Sequence, residues 1–401
     1  MIGVFNNMVT LKKEDRAMRK RIILTSLLAV VAVVVMASVA LAGPRVAIVK
    51  ASDAEWDLVV NSWKFQWRLF QDPPGANVPG NIAVAEWSKE SEVALEKMTR
   101  KAVSLAGGWP VKRGDRVLIK VNTVGHCWLQ AASGFGSDGD MQGDLTDARV
   151  ARAAALMALE SGAKEVIICN SPAVDDGWSA LRQYGFIRMV EELNNPKVRL
   201  VDLGREPWKW YRAPKGLALD KYAMPKIIGE VDKIINIGPM KTHRFTAVTS
   251  LLKNTGVGFP TPQVYGAPKH GLPHKKIAEV IVDVNMIAPS DYGIVEGIWG
   301  GEGFMPVEGP GVPMGIIMAG KDCVACDAVA TVVMGFKVEN IGTTVLAQEM
   351  GLGTYHGIQV VGVPIAQVQK AFCAPVRAKR MPAAFGNVGG WDSMIGRTLP
   401  D

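Results

Sequence analysis

The chain has 401 residues, with 45 lysines and arginines against 38 acidic residues and a formal net charge of +7. Lys12, Lys13, Arg16, Arg19, Lys20 and Arg21 stand near the start with only Glu14 and Asp15 opposing them, so the remainder is mildly basic. No basic stripe interleaved with aromatics is present, which excludes nucleic acid as a partner. Five cysteines in so long a chain exclude a disulfide framework.

After the basic head, Ile22 to Ala42 runs without a charge and closes on Ala40-Leu41-Ala42 before Gly43-Pro44. A cationic head, an apolar stretch and small residues flanking the final triplet are the order of a secretory signal. Met18 offers a second start, giving a compact signal; Arg19-Lys20-Arg21 is not a clean twin-arginine pair. A retained anchor is the alternative, because about 20 apolar residues span a bilayer. Both readings put residues 43–401, expected to form a single domain, in an exported setting, periplasmic or extracytoplasmic. The domain is then either free or held by residues 22–42, with the cationic head left in the cytoplasm.

From Arg45 the pattern alternates strand and helix. Arg45 to Lys50 reads as a strand, and Ser91 to Leu105 as a helix with Ala94, Leu95, Met98, Ala102 and Leu105 on one face. Asp115 to Asn122 is a second strand, opened by an Arg113-Gly114-Asp115 turn. Thr146 suits an N-cap, Asp147 to Ser161 a helix, Gly162 a left-handed cap, and Glu165 to Asn170 the next strand. That βαβ unit implies parallel pairing with a right-handed crossover. A helix over Ser179 to Leu193 precedes strands at Val198 to Asp202 and Val231 to Ile237. A helix from about His274 to Val284, strands at Gly293 to Glu296 and Met314 to Ala319, and a helix from Ala325 to Met334 follow. Apolar strands alternating with helices predict an α/β fold: a mostly parallel sheet with helices on both faces, three layers in all, preceded by the signal or anchor helix. Gln71 to Gly80 reads as a loop, Trp208 to Gly216 as an aromatic insertion, and the chain beyond Cys373 as an irregular tail.

In an open parallel sheet, ligands bind beyond the carboxyl ends of the strands. The polar residues that follow the strands include Lys120, Asn122, His126 and Cys127, then Asn170 and Ser171, then Lys241 and His243. Glu296 and Asp327 follow later strands. The densest group is Lys241-Thr-His243, Lys253-Asn254-Thr-Gly256, His270 and His274. Lysines with histidines and glycines suit an anionic group, carboxylate or phosphate. We therefore expect His243, Lys241 and Lys253 to be the catalytic groups and Lys120, Asn122, Asn254, Glu296 and Asp327 to bind ligand. His270, His274 and Glu296 form a candidate set for a divalent metal. Pro273 stands between the two histidines and opposes a continuous helix through both. Taken singly, each histidine reads as a surface or capping residue.

Cys323-Val-Ala-Cys326 is a C-x-x-C without a second pair at zinc spacing. Thiol redox is one reading; core packing fits the apolar strand and helix on either side better.

Several of these stretches together resemble the domain of unknown function 362 family. They are Val117 to Asn122, Thr146-Asp147 with Gly162-Ala-Lys, Pro239 to His243, Ser250 to Gly256, Val295 to Ile298 and Gly320 to Ala328. The resemblance spans most of Arg45 to about Gly335. It implies an α/β domain found alongside iron–sulfur proteins. Members often carry ferredoxin-type cysteine clusters; this chain has none, so no iron–sulfur cluster of its own is expected. Cys326 departs from the family pattern. Three roles follow as expectations: a protein that takes a small anionic molecule or metal, with a redox or hydrolytic task; a non-catalytic accessory of a membrane redox partner; or a thiol redox protein acting through Cys323 and Cys326.

Overall fold

The computed structural model describes residues 43–62, 64–69, 81–124, 143–171, 177–303, 305–306 and 310–375. The apolar segment 22–42, His126, Cys127, the 71–80 stretch and most of the expected tail lie outside these residues. In chain order the elements are β1 (Arg45–Lys50), α1 (Trp56–Val59), β2 (Lys64–Leu69), β3 (Asn81–Glu86), α2 (Lys89–Ala106), β4 (Arg116–Lys120), α3 (Ala148–Glu160) and β5 (Glu165–Asn170). Then come α4 (Gly177–Gln183), α5 (Phe186–Leu193), β6 (Val198–Asp202), β7 (Trp208–Arg212), β8 (Lys221–Pro225), β9 (Lys233–His243), β10 (Ala247–Thr249), α6 (Leu251–Gly256) and α7 (Pro262–Tyr265). The last are α8 (Ile277–Ile287), β11 (Tyr292–Gly301), β12 (Gly311–Gly320), α9 (Cys323–Val333), α10 (Gly342–Glu349) and β13 (Gln359–Gly362).

Among the described residues the main sheet has nine strands, in the order β13-β1-β12-β11-β9-β4-β5-β6, with β10 added to the end of β9. The run β11, β9, β4, β5, β6 is parallel throughout. β12 runs antiparallel to both β1 and β11, so the sheet is mixed and mostly parallel.

Alternation along the strands explains the layering. Val117, Ile119, Val166, Ile168, Ile235 and Ile237 pack into one hydrophobic cluster with α2, α3 and α5. The residues between them, Leu118, Ile167, Cys169 and Ile234, pack into a second cluster with α6 and α8. Successive strand side chains point to opposite faces, so an unbroken apolar run needs cover on both. Each such fully buried aliphatic side chain contributes about 1.5–3 kcal/mol.

Several expectations shift in detail. Asp147, not Thr146, caps α3, its carboxylate accepting from Arg149 N–H. Thr146 instead accepts from Asn122 N–H and donates to Ile237 carbonyl, 2.9 Å each, which clamps the end of β4 to β9. The helix expected over Ser179 to Leu193 is two helices, broken where Gly185 takes φ 80°. β9 does not stop at Ile237 but continues to His243. The Lys241-Thr-His243 stretch is therefore strand rather than turn, held by β10 in register Lys241 to Thr249. Trp208 to Arg212 is one arm of the β7–β8 hairpin. His274 lies in a 3-10 turn ahead of α8, as the proline before it requires.

Candidate anion pocket

The chain leaves β4 toward β5 and β6 on one side, and later enters β9 on the other side of β4. Loops at such a reversal diverge and open a crevice beyond the strand carboxyl ends. The open space at the crevice, solvent at its mouth included, is about 480 Å3. Its lining comes from β4 and the residues after it (Lys120, Asn122, Thr123, Val124), from β5 (Asn170, with Ser171) and from β9 (Lys241, His243). α6 and its C-terminal end add Lys253, Asn254, Val257 and Gly258, and Lys269 and Pro306 complete it.

Asn254 organises the floor. Its Oδ1 accepts from Lys120 Nζ at 3.0 Å and from Asn122 Nδ2 at 3.2 Å. Its Nδ2 donates to Asn236 Oδ1 at 2.8 Å and to Ile237 carbonyl at 3.0 Å. These donors and acceptors fix which way the amide points. On α6, Gly256 lets that helix lie close against α8: a Cβ there would stand 2.8 Å from Ile281 Cα.

Three of the four lysines are bonded to protein acceptors. Lys120 Nζ also donates to Val121 carbonyl at 2.5 Å and Asn170 Oδ1 at 3.3 Å. Lys269 Nζ donates to Ser171 Oγ, Val257 carbonyl and Gly258 carbonyl at 2.9, 2.8 and 3.0 Å. Lys241 Nζ is paired with Asp144 through both the carboxylate and the backbone carbonyl. Lys253 differs: it is half-buried, lines the pocket, and no hydrogen-bond acceptor among the described residues reaches its ammonium. The Asn122 Oδ1 is a second open group, a buried acceptor without a donor.

Electrostatics follow from this crowding. Burial first, then Lys241, push the Lys253 ammonium down to about 7. Burial pushes Lys120 down to about 8 and Lys269 well below the ordinary lysine range. Lys241 is lowered by burial, with Asp144 pulling the other way. Burial and then the Lys253 charge drive His243 well below the imidazole range. His243 is therefore neutral, and its Nδ1 accepts from Phe245 N–H at 3.0 Å, which leaves Nε2 carrying the proton. The pocket presents amines, one imidazole N–H donor and a free amide oxygen. That set can hold an oxyanion and polarise a carbonyl.

A family model described as a domain of unknown function, DUF362, matches residues 117–332. The chain belongs to that family. The matched span takes in all four pocket lysines, His243 and Asn254. A thylakoid-associated protein of Synechocystis sp. is 25% identical to this DUF362 protein over 245 residues, 60% of this chain and 70% of that protein.

Not every expected residue of this DUF362 protein reaches the pocket. Glu296 is buried within β11, accepting from Ile298 N–H at 2.7 Å, with burial and then Asp147 raising its carboxyl to about 8. Asp327, on α9, caps α6 from below, accepting from Leu251 N–H and Leu252 N–H at 2.8 and 3.0 Å. Both carboxylates are spent on backbone rather than on a ligand. His274 hydrogen-bonds through Nδ1 to Leu272 carbonyl at 2.9 Å. With His243, Phe245 and His270 it forms a file of rings 5.3–5.7 Å apart, centre to centre. Among the described residues no three His, Cys, Asp or Glu side chains stand close enough to hold a metal ion, so His270, His274 and Glu296 are not brought together as ligands.

Cys323 and Cys326 are buried free thiols, raised well above the usual range by burial. Their sulfurs fill the space left by two glycines: a Cβ on Gly293 would lie 3.1 Å from Cys323 Sγ, and one on Gly320 2.7 Å from Cys326 Sγ. Reactive thiols are exposed and acidified, the opposite of this setting. Packing explains the C-x-x-C here.

The sequence passes over two site residues. Lys269 precedes the more conspicuous His270, and Asp144 follows a glycine ahead of the α3 cap; neither stands at a strand end. Nothing in their local sequence singles them out.

Proposed function

We propose that this DUF362 protein binds a small oxyanion, a carboxylate or a phosphate, in the lysine pocket. The observation that carries the reading is the imbalance of charge: four lysines and no carboxylate line one crevice, and among the described residues Asp144, outside the lining, is the carboxylate paired to one of them. A half-buried ammonium held beside other cations is costly, and the cost is removed either by losing the proton or by taking an anion. Lys253 and the Nε2–H of His243 are the donors left for that anion. A hydrolytic or other group-transfer task fits these groups better than thiol redox.

The same reading places the protein at or across a membrane. It rests on the basic head and apolar segment before Gly43 and on the thylakoid association of the relative. Among the described residues no helix is long and apolar enough to cross a membrane, so residues 1–42 carry that part of the proposal.

Titration calorimetry of the purified protein with inorganic phosphate and with acetate, at slightly acidic pH, tests the pocket. Saturable binding that weakens at least about tenfold in Lys253→Met is expected, the scale of one charge-assisted hydrogen bond. No heat and no thermal stabilisation by either anion refutes it. Fractionation of cells expressing the full chain or residues 43–401 tests the location.

A further inference from the structure

Among the four lysines, three have ammonium groups bonded to protein acceptors and one does not. Lys120, Lys241 and Lys269 are each held by protein acceptors and cannot approach a ligand without breaking those bonds. Lys253 stands on the wall of the same crevice with no acceptor among the described residues. It is ringed by positive charge: Lys241, Arg244 and Lys120 all act on it, against Asp144 alone. An amine in cationic, partly desolvated surroundings is the arrangement that yields a free nucleophilic amine at neutral pH.

Resting on the anion-pocket reading, we propose that Lys253 is the reacting amine of this site, and that its substrates are small anions that also carry an aldehyde or ketone carbonyl. The positive field of the three bonded lysines draws the anionic end into the crevice without direct contact, and Lys253 meets the carbonyl. Its unprotonated Nζ forms a bond to the carbonyl carbon, the carbonyl π pair passes to oxygen, and the nitrogen loses a proton as the oxygen gains one, giving a carbinolamine. Departure of that hydroxyl as water, with a second proton, leaves the imine; no oxidant or reductant is consumed. His243 Nε2–H is placed in the lining to donate to the developing oxyanion, and Asn122 Oδ1 to accept from the carbinolamine hydroxyl. Burial and its neighbours supply the free amine, holding Lys253 down at about 7 where an exposed lysine stays almost fully protonated.

The test uses glyoxylate, a carboxylate with an aldehyde, and sodium cyanoborohydride, which reduces an imine to a stable carboxymethyl-lysine. The folded protein is labelled at neutral pH and mapped by peptide mass spectrometry. Lys253 should label faster than surface lysines by on the order of tenfold or more, and inorganic phosphate should slow that labelling selectively. A protein with Lys253→Arg, which keeps a cation but has no nucleophilic amine there, should label only at the background rate of its other lysines. Because the wild-type map needs no variant, misfolding of the arginine protein leaves the test intact. Phosphate binding with uniform labelling across the lysines overturns the amine role and leaves the anion pocket standing. No phosphate binding and no selective labelling overturns both.

Discussion

Lys120 Nζ lies 3.0 Å from Asn254 Oδ1, a contact between residues 134 positions apart that ties the end of β4 to the first turns of α6. Through it the amide that orients Lys120 also anchors Asn122, Asn236 and Ile237. The pocket floor is one hydrogen-bonded unit, and its parts should fail together.

Asn254→Ala should therefore destabilise the protein by about 3 kcal/mol, since several buried partners lose their bonds at once. Urea denaturation measures it. The same variant should lose most phosphate affinity, because Lys120 is no longer aimed. A loss below about 1 kcal/mol would mean that the network is replaced by water.

Gly258→Ala attacks the same unit from the backbone side. An added Cβ would stand 2.2 Å from Asn254 carbonyl and 2.6 Å from Lys120 Cε. Something must move, at a cost of about 1–3 kcal/mol. Titration calorimetry should show weakened anion binding with little change in overall secondary structure by circular dichroism.

The pH dependence has a definite sign. Lys253 and Lys120 sit at about 7 and about 8 in the folded chain, below the ordinary lysine value. The unfolded chain thus binds more protons between there and the ordinary value, so the ligand-free protein gains stability as pH rises through that window. An anion reverses the bias by favouring the charged amines. Binding should take up protons near neutral pH, and affinity should fall as pH rises past about 8. Calorimetry in buffers of different ionisation enthalpy counts the protons; proton release on binding would contradict the assignment.

Glu296 behaves oppositely. Its carboxyl is raised to about 8, so the unfolded chain loses its proton first and stability falls with rising pH between the ordinary carboxylate value and about 8. Glu296→Gln copies the protonated acid. Thermal melts should show it near wild type at pH about 5 and more stable above pH about 8, with anion affinity unchanged. A loss of affinity would return Glu296 to the site.

Strand-end logic finds Lys120, Asn122, Asn170, Lys241 and His243, and the density of polar groups adds Lys253 and Asn254. The same logic over-reaches at Glu296 and Asp327. A carboxylate after a strand looks alike in sequence whether it faces a crevice or caps a backbone, and only the packing of α9 beneath α6 separates the two. The reverse holds for Lys269 and Asp144, which chain position hides and folding brings in.

The sequence by itself determined the alternation of apolar strands and helices, the boundaries of β1, β5 and β6, and the family, because periodic burial and local turn chemistry are written in neighbouring residues. The tertiary structure alone decided that β9 runs on through Lys241 and His243, that three lysines are bonded to protein and one is open, and that the three expected metal ligands do not meet as one set among the described residues. Those outcomes depend on distances between residues a hundred or more positions apart, which the strand order around β4 sets and no local pattern encodes.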